Sequence, residues 1–485
     1  MLEELRELSP GAILLFSRNI TSVEATRALA DALRAALGDV LIAIDQEGGR
    51  VARLRLGATP VPSMMALGAC GDEGLAERVG LSIAGDLRRA GADVDFAPVL
   101  DLALEPQSAI VGTRSFGDDP VRVAALGAAV TRGLQRGGVA ATLKHFPGHG
   151  ATEFDSHAEL PVVGAGGATL RERELVPFAA GIAAGARCVM SAHVVFPALD
   201  AERPATLSPT ILTGLLRDEL GFAGVCVTDC LEMDAVAAHG GSVAAAVAAL
   251  RAGADLLTVS HTLGVARQMR TALAHALEAG TIEDERMRQA VARVDDLRRC
   301  LARAQPQTDP DPHWVAHQVA RRAITLVRGR ARLDLNEPAT VVSFEGESAD
   351  GVGSGTERAS LNRALRTRGM RSEILRVPLE PEPEMVEHLR AVLAAQRGRN
   401  VVIVMRRAHR HRSQRSAIDA LLASTPQAWL VSALEPFDVG CFPRARNVLC
   451  SYGDGALECE ALADVLSGRA GAGGKLPVRL PASAP

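Results

Sequence analysis

The chain has no run of about eighteen consecutive apolar residues, which excludes an ordinary membrane-spanning helix. It opens "MLEELREL", acidic and helix-like, with no basic region leading into an apolar one, so no signal peptide is expected. Eight cysteines in 485 residues are scattered rather than spaced as a framework. Most sit in apolar runs, such as Cys188 in "ARCVMSA", which fits buried, reduced thiols and a cytoplasmic setting. Cys226 and Cys230 stand four apart with no second pair nearby, so a zinc site there is not expected. A formal net charge of −4 gives no general attraction to nucleic acid or to an anionic membrane surface.

What is present is an ordinary globular composition, 47% apolar and 23% charged. The length calls for two domains, or one large barrel plus a second unit. Over the first 300 residues two signals alternate. Short apolar runs recur at 12–16, 40–45, 93–98, 139–145, 188–193, 225–229 and 255–259. Amphipathic segments of helical period, such as 22–37 and 119–138, lie between most of them. Strands alternating with helices predict a parallel sheet with right-handed crossovers, buried on both faces. Seven units fall one short of a (β/α)8 barrel, the fold class expected here, and the chain opens on a helix. The first strand is the missing one, so either the true start lies upstream or the barrel is incomplete.

Polar residues at the strand ends favour that barrel over a doubly wound sheet. Asp45, Asp95 within "DVDFAP", Lys144 with His145, His193 and Asp229 are each expected at a strand C-terminus. In a barrel all strand C-termini surround one mouth, where active sites lie. The barrel is expected over 1–303. "AQPQTDPDP" at 304–312 reads as a linker. Residues 313–485 read as a smaller doubly wound αβα sandwich, starting with a helix over 313–329. Its strands are expected at 339–344, 372–377, 400–405, 428–433 and 447–452. The glycine-rich 347–360 reads as an exposed loop and forms no recognisable phosphate-binding pattern.

The densest chemistry is "KHFPGHGATEFDSH" at 144–157. Pro147, Gly148 and Gly150 end a strand and hold a loop. Three histidines could suggest a metal, but they lie on a loop without a supporting cysteine pair, and none is expected. Asp155 and His157 stand two apart, so in an extended segment their side chains share a side. A carboxylate beside an imidazole fixes its tautomer and favours the protonated ring, making a general acid for neutral pH. The bland reading is a surface ion pair. Asp229, delivered by the apolar strand "VCVT", is placed as a nucleophile would be. Glu232 and Asp234 read as acids at a helix start. "DQEGGRVARL" at 45–54 reads equally as a turn with surface ion pairs or as charges gripping a ligand.

The motifs "KHFPGHG", "DSH" and "TDCLEM", in that order, resemble glycoside hydrolase family 3. Within it they are most similar to the bacterial NagZ-type β-N-acetylhexosaminidases of peptidoglycan recycling, in a two-domain form. "GAILLFSRNI", "IDQEGGRVARL", "VDFAPVLDL", "GTRSFGDDP" and the ending "ALADVLSGRAGAGGKLPVRLP" extend the resemblance over nearly the whole chain. It implies a retaining hydrolase that removes terminal non-reducing β-N-acetylglucosamine from small carbohydrates such as cytoplasmic muropeptide fragments, without a cofactor. Asp229 would be the nucleophile and His157, paired with Asp155, the acid/base on a loop that closes over substrate. Asp45, Arg53, Arg114, Lys144 and His145 would hold the sugar's hydroxyls and N-acetyl group. Cys230 departs from the Asp found after the nucleophile in many single-domain relatives. Alternatives are a phosphorylase, since a histidine repels incoming phosphate less than a carboxylate does, a β-glucosidase, or an inactive carbohydrate-binding homologue.

Overall fold

The computed structural model describes residues 2–152, 160–237, 240–330, 332–346, 360–396 and 398–480. Seven parallel strands form the first sheet: β1 (Ala12–Leu15), β2 (Leu41–Ile44), β3 (Val94–Asp95), β4 (Ala140–Phe146), β5 (Cys188–Ser191), β6 (Val225–Cys230) and β7 (Leu256–Thr258). They neighbour one another in chain order, as the alternating pattern predicts. Together they make the curled (β/α) barrel expected from the sequence. Between β1 and β7 no backbone ladder is formed among the described residues. Side chains span that seam instead: Arg298 donates to the Gly11 carbonyl at 3.1 Å, and Arg18 donates to the Ser260 carbonyl. Beneath the seam lies a cavity of about 1120 Å³, lined by Leu5, Leu14, Met269 and Val294 among others.

Strand period two sorts the side chains. Leu41, Ala43, Val94, Ala140, Cys188, Met190, Val225 and Val227 pack together inside the barrel, with Val294 and Leu297 from the helix Asp284–Arg303. Ile42, Ile44, Ala141, Leu143, Val189 and Cys226 face the outer helices. Continuing the inward register past the apolar layer reaches Asp45 just after β2, Lys144 on β4 and Asp229 on β6. The position of the site thus follows from the same alternation that builds the core.

The outer helices begin and end where local chemistry dictates. Ser22 accepts from the Ala25 N–H and caps Val23–Leu37. Asp119 accepts from the Val121 and Arg122 N–H groups and caps Pro120–Arg136, with proline in its first turn. That helix lies close against Glu73–Arg89 because two glycines face the contact. A Cβ on Gly80 would sit 2.3 Å from the Val130 carbonyl oxygen, and one on Gly133 would sit 2.1 Å from that of Glu77.

The second sheet is mixed and has six strands: β8 (Thr325–Arg328), β9 (Ala339–Glu345), β10 (Ser372–Pro378), β11 (Asn400–Met405), β12 (Trp429–Ser432) and β13 (Asn447–Cys450). Their order is β8-β13-β12-β11-β9-β10, with only β8 antiparallel to its neighbour. The helix expected over 313–329 is shorter: it spans Pro312–Ala323, and Thr325–Arg328 pairs with β13 as an edge strand. Branched Ile324, Thr325 and Val327 suit that extended conformation. Residues 347–359 of the expected glycine-rich loop lie outside the described residues.

Acids at the strand starts hold the barrel's closed end. Asp255 has a fully buried side chain and is contacted by Arg217 (2.6 Å), Arg286 (2.6 Å) and Arg293 (3.0 Å). It also accepts from the Cys226 N–H at 2.9 Å, tying β6 to β7. Removing one partner from such a cluster strands the remaining charges. Asp255→Ala should therefore cost about 3–5 kcal/mol of unfolding free energy in urea titrations. A loss below ~1 kcal/mol would contradict this account of the barrel floor.

Candidate functional site

The mouth of the barrel is organised by the turn after β2. Gln46 locks it: its side-chain amide donates to the Leu54 carbonyl at 3.0 Å, and its oxygen accepts from the Arg53 and Leu54 N–H groups, both at 2.9 Å. Gly48 and Gly49 have φ of 92° and 56°, which side-chain-bearing residues rarely adopt. The turn sends Asp45, Glu47 and Arg53 to one place.

Five side chains then alternate in charge. Arg53 lies 3.6 Å from Asp45, and Asp45 accepts from Lys144 at 2.8 Å. Lys144 also reaches Glu47 at 2.7 Å, and Glu47 accepts both arms of Arg114, at 2.8 and 2.7 Å. Burial alone would push the Glu47 carboxyl up, but the adjacent Arg114 and Lys144 charges outweigh it and hold it well below the ordinary range. Burial works against the Lys144 ammonium, yet Asp45 and Glu47 keep it above its ordinary value. DQEGG is therefore no surface turn: Glu47 is 2% exposed.

A second group stands beside it. His145 Nδ1 donates to Asp101 at 2.7 Å, and Asp101 also accepts from the His149 N–H at 2.6 Å. Burial raises the Asp101 carboxyl, and the neighbouring histidines more than offset that, keeping it low. The His145–Asp101 bond sets the ring's tautomer and turns its Nε2 away from Asp101. The peptides Lys144–His145 and Phe146–Pro147 are cis.

Asp229 ends β6. Its Oδ1 accepts from the Cys230 N–H at 2.7 Å. Burial opposes its charge, but the fields of His145, His193 and Lys144 lower its pKa overall. His193 donates from Nε2 to the Cys230 carbonyl at 2.9 Å, bracing the backbone next to Asp229. An ionised carboxylate at a barrel mouth beside a row of fixed donors suits attack on, or stabilisation of, a developing cation.

The structure brings Asp45, Arg53, Arg114, Lys144, His145 and Asp229 to the C-terminal end of the barrel. Asp155 and His157 lie outside the described residues. Sequence reasoning missed Glu47 and Asp101. The signal for Glu47 was present, since it stands two residues after Asp45 and shares its side of an extended segment. Asp95, grouped earlier with the strand-end charges, behaves differently. Burial pushes its carboxyl well above the ordinary range; Oδ1 accepts from the Gln46 N–H, and Oδ2 has no hydrogen-bond partner among the described residues. Glu232, expected at a helix start, instead accepts from the Ser260 and His261 N–H groups at 2.9 and 2.7 Å. Among the described residues no group of three His, Cys, Asp or Glu is arranged to hold a metal ion.

Buried His149 is held neutral. Desolvation pulls its pKa from 6.5 down to about 4. An unfolded chain binds that proton first, so the His149 contribution is complete above pH 6.5 and is lost as pH falls toward 4. The expected loss is on the order of 3 kcal/mol. His149→Asn should flatten the pH dependence of urea stability between pH 6.5 and 4.5; an unchanged slope would refute the assignment.

The description "Glycosyl hydrolase family 3 N terminal domain" matches residues 1–297. A β-hexosaminidase of Chromobacterium violaceum is 39% identical over 323 residues, which are 65% of this chain and 88% of that protein. One from Pseudomonas aeruginosa is 38% identical over 326 residues, 67% of this chain and 93% of its own length. Among solved structures, a family 3 β-N-acetylglucosaminidase from Paenibacillus sp. superimposes with a TM-score of 0.92 at 36% identity. The match covers 99% of this chain and 95% of that one. A β-glucoside phosphorylase with TM-score 0.83 and 23% identity shares the fold.

Proposed function

Because the chain belongs to glycosyl hydrolase family 3, we propose that it is a retaining β-N-acetylhexosaminidase acting on terminal non-reducing β-N-acetylglucosamine. The observation that carries this reading is Asp229: an ionised carboxylate at the end of β6, within the fields of Lys144, His145 and His193. In the first step its Oδ bonds to the anomeric carbon as the bond to the leaving oxygen breaks. His157, kept protonated by Asp155, gives that oxygen its proton. In the second step neutral His157 takes a proton from water, the water oxygen bonds to the anomeric carbon, and Asp229 departs as a carboxylate. An imidazole suits both steps, because its ordinary pKa of about 6.5 lies near neutrality.

Asp45, Arg53, Arg114, Lys144 and His145 are assigned to the sugar's hydroxyls and N-acetyl group. Their ion pairs, with one another and with Glu47 and Asp101, pre-orient donors and acceptors, so less ordering is needed when substrate arrives. The substrate class inferred is muropeptide fragments in peptidoglycan recycling, in the cytoplasm. All eight cysteines are free thiols, which fits a reducing compartment. No helix among the described residues is long and apolar enough to cross a membrane. We take residues 1–303 as the catalytic domain, 304–312 as linker and 313–485 as the second domain.

Asp229→Ala is expected to lower kcat on an aryl β-N-acetylglucosaminide by at least about 10³-fold. A 2-acetamido fluorosugar should leave a covalent adduct on Asp229, located by mass spectrometry; an adduct elsewhere rejects the assignment. His157→Ala should slow substrates with poor leaving groups by about 10²–10⁴-fold and activated aryl glycosides far less, because only the former need a proton. Equal losses would reject the acid role. Free sugar, not sugar 1-phosphate, should be the product when phosphate is added.

A further inference from the structure

Arg114 reaches the site from residues 103–117, a segment whose only regular structure is the three-residue turn Gly112–Arg114. Within it, the Arg114 N–H donates to the Val111 carbonyl at 2.9 Å, and the Arg114 side chain donates to the Ile110 carbonyl at 3.1 Å. These bonds shape the turn and do not fix it in space. On the barrel side, Ser115 Oγ donates to the Asp101 carbonyl at 2.6 Å, and the Glu105 N–H donates to the Gly150 carbonyl at 3.2 Å.

The barrel helix Met64–Cys70 also packs against Gly112–Arg114, and further support comes from the second sheet. The turns after β11 and β12 lie at strand C-termini, the edge where an open α/β sheet carries its functional loops. His409 sits on the first of them and is 9% exposed. Its ring is set by Asp438, fully buried, through Nδ1 at 2.6 Å, and its Nε2 meets the Pro106 carbonyl at 2.9 Å. Arg410 donates to the Ser108 carbonyl and, at 3.3 Å, to that of Pro106. Glu435, 1% exposed, presses on Gly112: a Cβ there would lie 2.5 Å from its Oε1. Glu435 is itself held by Arg407 at 3.3 Å, and Arg407 adopts a φ of 52°, a conformation a side-chain-bearing residue keeps only where its surroundings enforce it.

We propose that His409, Arg410 and Glu435 are positioning residues for the barrel's sugar site: by gripping 106–112 they place Arg114, so the second domain takes part in substrate recognition without touching the sugar. This rests on the proposed role of Arg114 at the sugar. The physical reason is leverage. Arg114 must meet Glu47 with both arms while presenting its remaining surface to substrate, and its own segment is irregular apart from one three-residue turn. A displaced Arg114 would hold the sugar less well in ground and transition state alike, so the loss falls on binding.

The test is a double-mutant cycle on the full-length chain, with an aryl β-N-acetylglucosaminide as substrate. Arg410→Ala should raise KM about tenfold and leave kcat within about threefold, because Arg114 would bind ground and transition state alike. Added to Arg114→Ala, it should cost less than about twofold more, since the group it positions is already gone. Should Arg410→Ala fail to fold, Glu435→Gln keeps the volume and carries the same cycle. Losses that multiply in the two backgrounds, or a KM unchanged by both variants, overturn the positioning role. Wild-type protein that releases no sugar from this substrate rejects the functional reading instead, so the two failures are told apart.

Discussion

The Glu47 carboxylate, buried and shared by Arg114 and Lys144, is the tie on which the barrel mouth depends. It joins the turn after β2, the end of β4 and the long segment after β3 at distances of 2.7–2.8 Å. Taking three charges out of water costs several kcal/mol per ion, and mutual attraction offsets this only with good geometry. Here the geometry is two-armed on one side and extends through Lys144 to Asp45 on the other. Its value lies less in net stability than in specificity of position. Loss of any member leaves a neighbour charged and buried, so the whole group shifts or none of it does.

The barrel divides its acids by end. At the strand starts, Asp93 and Asp255 accept backbone N–H groups from neighbouring strands and pair with arginines from the helices. At the strand ends, Asp45, Glu47 and Asp229 face the mouth. The first group closes the floor and the second is available for chemistry, the division expected of a barrel whose loops carry the site. Asp95 stands between these regimes. It is buried without a cation bonded to it, and its carboxyl is therefore pushed up rather than down.

The second domain bears on the first at the same mouth. Ser63 donates to the Tyr452 carbonyl at 2.6 Å, and the Asp118 N–H donates to that of Pro477 at 3.2 Å, in addition to the His409 and Arg410 contacts. These polar bonds, each worth about 1 kcal/mol net, lie beside an apolar cluster shared by the two domains, which takes in Leu67 and Val79 from the barrel and Val319, Phe437 and Tyr452 from the second domain.

Strand and helix alternation, the parallel sheet, the inward register and the residues at the strand ends were legible in the sequence. All are consequences of local periodicity: once Leu41 and Ala43 face inward, Asp45 must. The edge strand Thr325–Arg328 was not legible, because "ITLVR" follows a helix without a breaker and became a strand only by pairing with Asn447–Cys450. The partners of each charge were not legible either. Glu47 meets Arg114 across 67 residues, Lys144 meets Asp45 across 99, and His409 meets Pro106 across 303. Whether a carboxylate is ionised or neutral depends on distance and local dielectric, and neither exists before the chain folds. The sequence by itself determined which strand-end side chains face the mouth; only the tertiary structure brought Arg114 and Asp101 to them and decided which groups are paired, buried and charged there.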